Sequence, residues 1–139
     1  MKARKIAGLD PAAPLGPNAR RIVATRLDEM RWLAEQALAS DAHTAQHDMR
    51  IAAKRLRYAL EILGPCIGEP AGPARRAAKE IQSVLGDLHD CDVIMPRVEA
   101  IPSLAVAVHA RRECLFGEFT RLWASETCDS AWAALEAAL

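Results

Sequence analysis

Apolar residues in this chain return every three or four positions, and nowhere do they alternate. Ile22, Val23, Leu27, Met30, Leu33, Ala34, Ala37 and Leu38 keep that spacing, which gathers them on one side of a helix. No stretch shows sustained period-two alternation of β-branched residues, so a sheet has nothing to build on. Alanine is abundant and loses no side-chain entropy in a helix. With 139 residues the chain is long enough for one domain with a real core.

Proline and glycine divide the pattern. Residues 1–18 hold Pro11, Pro14, Gly16 and Pro17 and read as an extended arm with a basic start at Lys2, Arg4 and Lys5. The plain expectation for the arm is a frayed terminus. Reaching a partner or ligand is the functional alternative.

From 19 to 139 a single helical domain is expected. A first helix follows Asn18 as N-cap and runs to about Ser40. A second runs from about Thr44 to Leu63 and is ended by Gly64-Pro65. A third runs from about Ala74 to Leu88. A short helix covers Asp92 to Ala100, a longer one runs from Pro102 to about Ser125, and a last short one follows Asp129. Four main helices plus short ones, joined by short loops, make an all-α antiparallel helical bundle.

Eighteen basic and eighteen acidic residues cancel. An anion site must therefore come from local segregation of charge, not from a net positive field. Four cysteines stand far apart with no CxxC pair. They read as small buried hydrophobes in a reducing compartment. No signal peptide opens the chain and no apolar run approaches a membrane span, so a cytoplasmic protein is expected.

Segregation occurs on the second helix. His47, Arg50, Lys54 and Arg57 fall within an arc of about 80° and span about 15 Å of rise. Met49, Ala52, Ala53, Leu56, Ala59, Leu60 and Leu63 take the opposite, core-facing side. Arg55 lies on the flank of the stripe. Like charges at these spacings cost roughly 0.2–0.5 kcal/mol per pair. Asp48 and Glu61 are the nearest acids in sequence. Such a stripe calls for an anion from elsewhere: either acidic side chains of a neighbouring helix, or a ligand. A multivalent phosphate suits it, because Arg grips two oxygens and Lys adds a mobile charge.

Lys79 lies on the polar side of the third helix with Gln82, Gly86 and Asp90. A glycine inside a helix often permits close approach of a backbone or ligand. His89-Asp90-Cys91-Asp92 lacks metal spacing. It reads as a cap of the next helix by Asp90 or Asp92, with His89 pairing to either aspartate. Arg112 falls inside the apolar arc Leu104, Val108, Leu115, Phe119 and Leu122. It must snorkel, pair with an acid or meet a ligand.

No Walker-type loop, GxSxG or HExxH is present, and no carboxylate cluster is placed to hold Mg²⁺. The residues argue for no hydrolase or kinase. No enzyme activity, cofactor or metal is expected. A metal held by His47, His89 and His109 is disfavoured by the cations around His47.

The pattern His47-x-x-Arg50-x-x-x-Lys54-Arg55-Leu56-Arg57-Tyr58, followed by Leu85-Gly86-x-Leu88-x-Asp90, resembles the CHAD domain (conserved histidine α-helical domain). The resemblance extends over about residues 15–125, with Phe116 to Trp123 similar to the family's late hydrophobic helix. It implies a helical bundle with inward-facing basic residues that binds inorganic polyphosphate. By motif, His47, Arg50, Lys54 and Arg57 would line the site, with Arg55 of the same motif, and with Lys79 and Arg112 as additions. A usual CHAD domain has two similar halves. This chain has one basic motif, and its KRLRY form looks like the second half. Either one half suffices or two chains assemble, and a homodimer is expected. Polyphosphate granules are a fitting location. Nucleic acid stays open as a competing polyanion but is not favoured. A helical scaffold whose basic face meets a protein partner's acids is the alternative.

Overall fold

The computed structural model describes all 139 residues and contains no strand. Five helices follow in order: α1 (Leu15–Ala37), α2 (His43–Ile67), α3 (Ala71–Val98), α4 (Pro102–Trp123) and α5 (Glu126–Ala137). Each of the first four packs on the next. α5 returns against α3 and reaches α1 through an Arg31–Glu136 ion pair at 3.1 Å.

The core is one cluster that draws on all five helices. Val23, Leu27, Met30, Met49, Leu56, Ile81, Leu85 and Leu88 fill its centre, with Leu115, Phe119 and Leu135 from α4 and α5. Buried Ala34, Ala37, Ala52, Ala53, Ala74 and Ala78 let α1, α2 and α3 lie close together. Of the apolar positions expected to face inward, Ile22 is half-buried and Leu38 is exposed.

Several element boundaries differ from those read in the sequence. α3 begins at Ala71 instead of about Ala74, and the last helix begins at Glu126, capped by Ser125, instead of after Asp129. α1 starts at Leu15, so Asn18 is not its cap. The Asn18 side chain instead bonds the backbone of Asp10, accepting at 3.0 Å and donating at 2.7 Å. α2 runs through Pro65 to Ile67, which is buried. The residue that ends it is Gly68, whose φ of 95° only glycine adopts freely. Its N–H donates to the Gly64 carbonyl at 2.9 Å.

The difference at the end of α3 matters most. α3 does not stop at Leu88. It runs unbroken through His89–Asp92 for 28 residues, so neither Asp90 nor Asp92 is a cap. Ile81, Val84, Leu85, Leu88 and Cys91 form one buried stripe across the expected break. Burial of that stripe outweighs the local preference of aspartate for a helix start.

The arm is not frayed. The Arg4 N–H donates to Glu29 of α1 at 3.0 Å, and Arg26 donates to the Arg4 carbonyl at 3.1 Å. The Arg4 guanidinium lies 5.0 Å from the centre of the Trp32 ring. Arg55 of α2 donates to the Met1 carbonyl at 2.9 Å. The arm thus docks on the protein's own helices.

All four cysteines are free. Cys91 and Cys128 are buried, and burial is the largest influence raising their thiol pKa values. Cys114 is exposed and Cys66 half-buried, so the expectation of small buried hydrophobes does not hold for these two. No helix is long and apolar enough to cross a membrane.

Candidate functional site

α2 turns its buried side, Met49, Ala52, Ala53, Leu56 and Leu60, toward α1 and α3. His47, Arg50 and Arg57 are half-buried and Lys54 is exposed. Three contacts fix how α3 runs beside this stripe. The His47 and His89 rings stack with centroids 4.2 Å apart. The Arg50 side chain lies against Gly86. Arg75 approaches Glu61 at 3.9 Å. The helices are antiparallel, and as one index rises by three or eleven the other falls by as much. The same register sets Lys54 opposite Gln82 and Arg57 opposite Lys79.

The result is a groove with cations on both walls and few internal partners. His47 Nδ1, Arg50 Nε, Arg57 Nε and Gln82 Oε1 are buried atoms without a hydrogen-bond partner. Such atoms are uncommon in folded proteins and call for a missing partner. His47, Arg50, Lys54 and Lys79 form no ion pair with any carboxylate of the chain. Arg57 has Glu61 at 3.5 Å, near enough for attraction but without a hydrogen bond from Nε. Arg57 and Lys54 both lie near the Tyr58 ring, at 4.5 and 5.8 Å from its centre.

His47 is held below the ordinary histidine value. Burial is the largest cause, followed by the neighbouring His89 and then Arg50, with Asp48 opposing. His89 pairs with neither Asp90 nor Asp92, contrary to the expectation from sequence; its contact is His47.

Two other sequence candidates face elsewhere. Arg55 donates to Glu29 at 3.1 Å as well as to Met1. Glu29 is fully buried and also takes Arg26 at 2.8 Å. Arg55 therefore neutralises an internal carboxylate on the α1 side.

Arg112 ties together α4, α3 and the α1–α2 connection. It donates to Asp92, to the Ser40 carbonyl at 2.8 Å and to Gln46 Oε1 at 2.7 Å, with His43 Nδ1 at 3.1 Å. Asp92 stays below the ordinary carboxyl value. Burial, the largest influence, pushes it up, and hydrogen bonds from Arg112 and His43 more than offset this. Of the three fates open to Arg112, pairing with an acid is the one it meets. An adjoining cleft of about 430 Å³ is lined by His43, Asp92, His109, Arg112 and Glu113. Within it Asp92 meets Arg112 and His43, and His109 meets Glu113 at 3.3 Å. No group of three His, Cys, Asp or Glu side chains is arranged to hold a metal ion.

The stripe and its α3 wall fall inside the stretch, residues 2–99, matched by the family model for the CHAD domain. This chain belongs to the CHAD family. Searches of curated proteins and of solved structures return no significant match. The CHAD match takes in the arm, α1, α2 and α3. It leaves α4 and α5 outside, so Phe116–Trp123, expected to resemble the family's late helix, lies beyond it. His47, Arg50, Lys54, Arg55, Arg57 and Lys79 are within the CHAD segment, and Arg112 is not.

Gln82 and His89 are groove residues that the sequence reading did not assign to the site. The signal was present: residues 79, 82, 86 and 89 keep helical spacing opposite the buried stripe. The supposed helix break at Leu88 separated His89 from this face, while Gln82 already stood beside Lys79 on it.

Proposed function

We propose that this CHAD domain binds inorganic polyphosphate along the α2–α3 groove and performs no catalysis of its own. The observation that carries the reading is the set of buried polar nitrogens without a hydrogen-bond partner. Arg50 Nε, Arg57 Nε and His47 Nδ1 lie along one ridge, and Arg50 and Lys54 have no carboxylate partner. A linear chain of phosphates offers a negative charge and free oxygens at each step along such a ridge. The site is then His47, Arg50, Lys54 and Arg57 on one wall, with Lys79, Gln82 and His89 on the other. Arg55 and Arg112 are left to structural roles. The family's association with polyphosphate supports the same choice.

Two chains pairing to join two such grooves would supply the second basic half that a usual CHAD domain carries. A cytoplasmic location, with recruitment to polyphosphate granules, fits a non-catalytic binder.

The test is retention on polyphosphate beads, challenged with excess short nucleic acid. Retention that survives nucleic acid and is lost with long-chain polyphosphate supports the proposal. Failure to be retained at low salt overturns it and favours a scaffold whose basic face meets a protein. Light scattering with and without polyphosphate reads the pairing.

A further inference from the structure

The stacked histidines give the groove a feature that arginine and lysine cannot supply. Imidazole is the one side chain whose ordinary protonation change falls near neutral pH. We propose that His47 and His89 act as one proton-binding unit that takes up a proton as polyphosphate enters the groove, so that binding strengthens as pH falls. This inference rests on the polyphosphate reading above.

A proton on His47 would lack a counter-charge. His47 and His89 line a common hollow with His43, Thr44, Asp92 and Val93. The charged or titratable groups around His47 are His43, Asp48 and Arg50 of α2, His89 and Asp92 of α3, and the Met1 amino group of the arm. Two of these are carboxylates, and both are engaged. Asp92 holds Arg112 and His43. Asp48 lies 3.3 Å from the Met1 amino group.

A proton placed on His47 therefore finds no unpaired carboxylate among these groups. It meets Arg50 on one side and a second imidazole with its centre 4.2 Å away. Burial, His89 and Arg50 disfavour the charged form of His47. A phosphate oxygen in the groove reverses the balance, because it accepts from an imidazolium and offsets Arg50 as well. At this separation the two rings share about one proton, since charging both sets like charges in contact. The proton comes from solvent buffer and resides on a ring nitrogen facing the phosphate; no covalent bond changes.

Proton uptake is measurable apart from affinity. Titration calorimetry with long-chain sodium polyphosphate is run at pH 7 in buffers of different ionisation enthalpy. Long chains have too few terminal groups to account for the protons. Wild type is expected to take up about one proton per bound groove. Its affinity should drop by up to about tenfold per pH unit as pH rises through the titration. His89→Gln and His47→Gln should each bind more weakly at pH 6 and lose most of the uptake. The His89→Gln variant removes the second imidazole at a half-buried position, and its fold is checked by thermal melting. Wild type that binds without proton uptake, or a folded His89→Gln protein with unchanged uptake, overturns this inference and leaves the binding reading standing. Wild type that does not bind at any pH overturns both.

Discussion

Arg50 crosses Gly86 so closely that a methyl group at residue 86 would sit 3.2 Å from its Nε. The absence of a side chain on α3 is what lets a guanidinium from α2 settle into the groove. Ala is the better helix former by about 1 kcal/mol. Gly86→Ala should therefore leave the melting temperature unchanged or raised, because the contact it disturbs is one flexible side chain, at Arg50 Nε and Cδ, and not backbone. It should lower polyphosphate affinity several-fold by displacing that guanidinium. Direct binding measurements beside a thermal melt check both. Undiminished affinity would remove the Arg50–Gly86 contact from the site.

Arg50→Ala and Lys54→Ala should weaken binding without unfolding the protein. Each removes a charged contact to phosphate, worth roughly tenfold in affinity. Each should also reduce the slope of log affinity against log salt by about 1, by analogy with nucleic acids. Neither side chain holds an internal carboxylate, so stability should shift by no more than about 0.5 kcal/mol. Titrations over a range of NaCl concentrations give affinity and slope together. Normal binding by both variants at moderate salt would refute the groove as the site.

Arg55→Ala should do the reverse. Glu29 is fully buried and shared among Arg26, Arg55 and the Arg4 N–H. Losing one charged partner costs about 1.5–3 kcal/mol. Denaturant unfolding should show that loss, and limited proteolysis should find the arm cleaved faster before Leu15. Salt dependence of polyphosphate binding should match wild type.

Arg112→Ala tests the tie between α4, α3 and the α1–α2 connection. It leaves Asp92 half-buried with only His43, at a cost of about 3 kcal/mol. The tie also has a pH signature. The folded carboxyl sits below its ordinary value of 3.8. Its stabilisation is thus present above about that pH and is lost as pH falls through the lower folded value. In Arg112→Ala this acid-range dependence should be blunted, as thermal melts between neutral and acid pH will show.

His47 adds a slope of its own, closer to neutrality than that of Asp92. Its folded value lies below 6.5, so the unfolded chain binds the proton more readily. Stability from the neutral ring is full above about pH 6.5 and declines as pH falls through the lowered value. Melting temperatures of the protein alone should fall over that window, and less so in His47→Gln. Added polyphosphate should shrink or invert the decline.

Much of the groove was legible because its signal is local. His47, Arg50, Lys54 and Arg57 share a face whatever α2 packs against, since helical geometry alone puts them there. Gly86 stood out as a helix-interior glycine for the same reason. Pro65 and Asp90–Asp92 misled because a cap or breaker preference, about 1 kcal/mol for a cap, is weighed against burial of Ile67 and of the Leu88–Cys91 stripe. That balance is not written in either segment taken singly.

Periodicity and charge placement determined an all-helical bundle and a basic stripe, because both are properties of one helix and its own residues. Only the tertiary structure decided which cations stay unpaired. Glu29 and Asp92 lie far along the chain from Arg55 and Arg112, and only packing brings each carboxylate to its arginine. The His47–His89 stack was decided in the same way: it depends on the register of two antiparallel helices, which is set by how their buried alanines and leucines fit together.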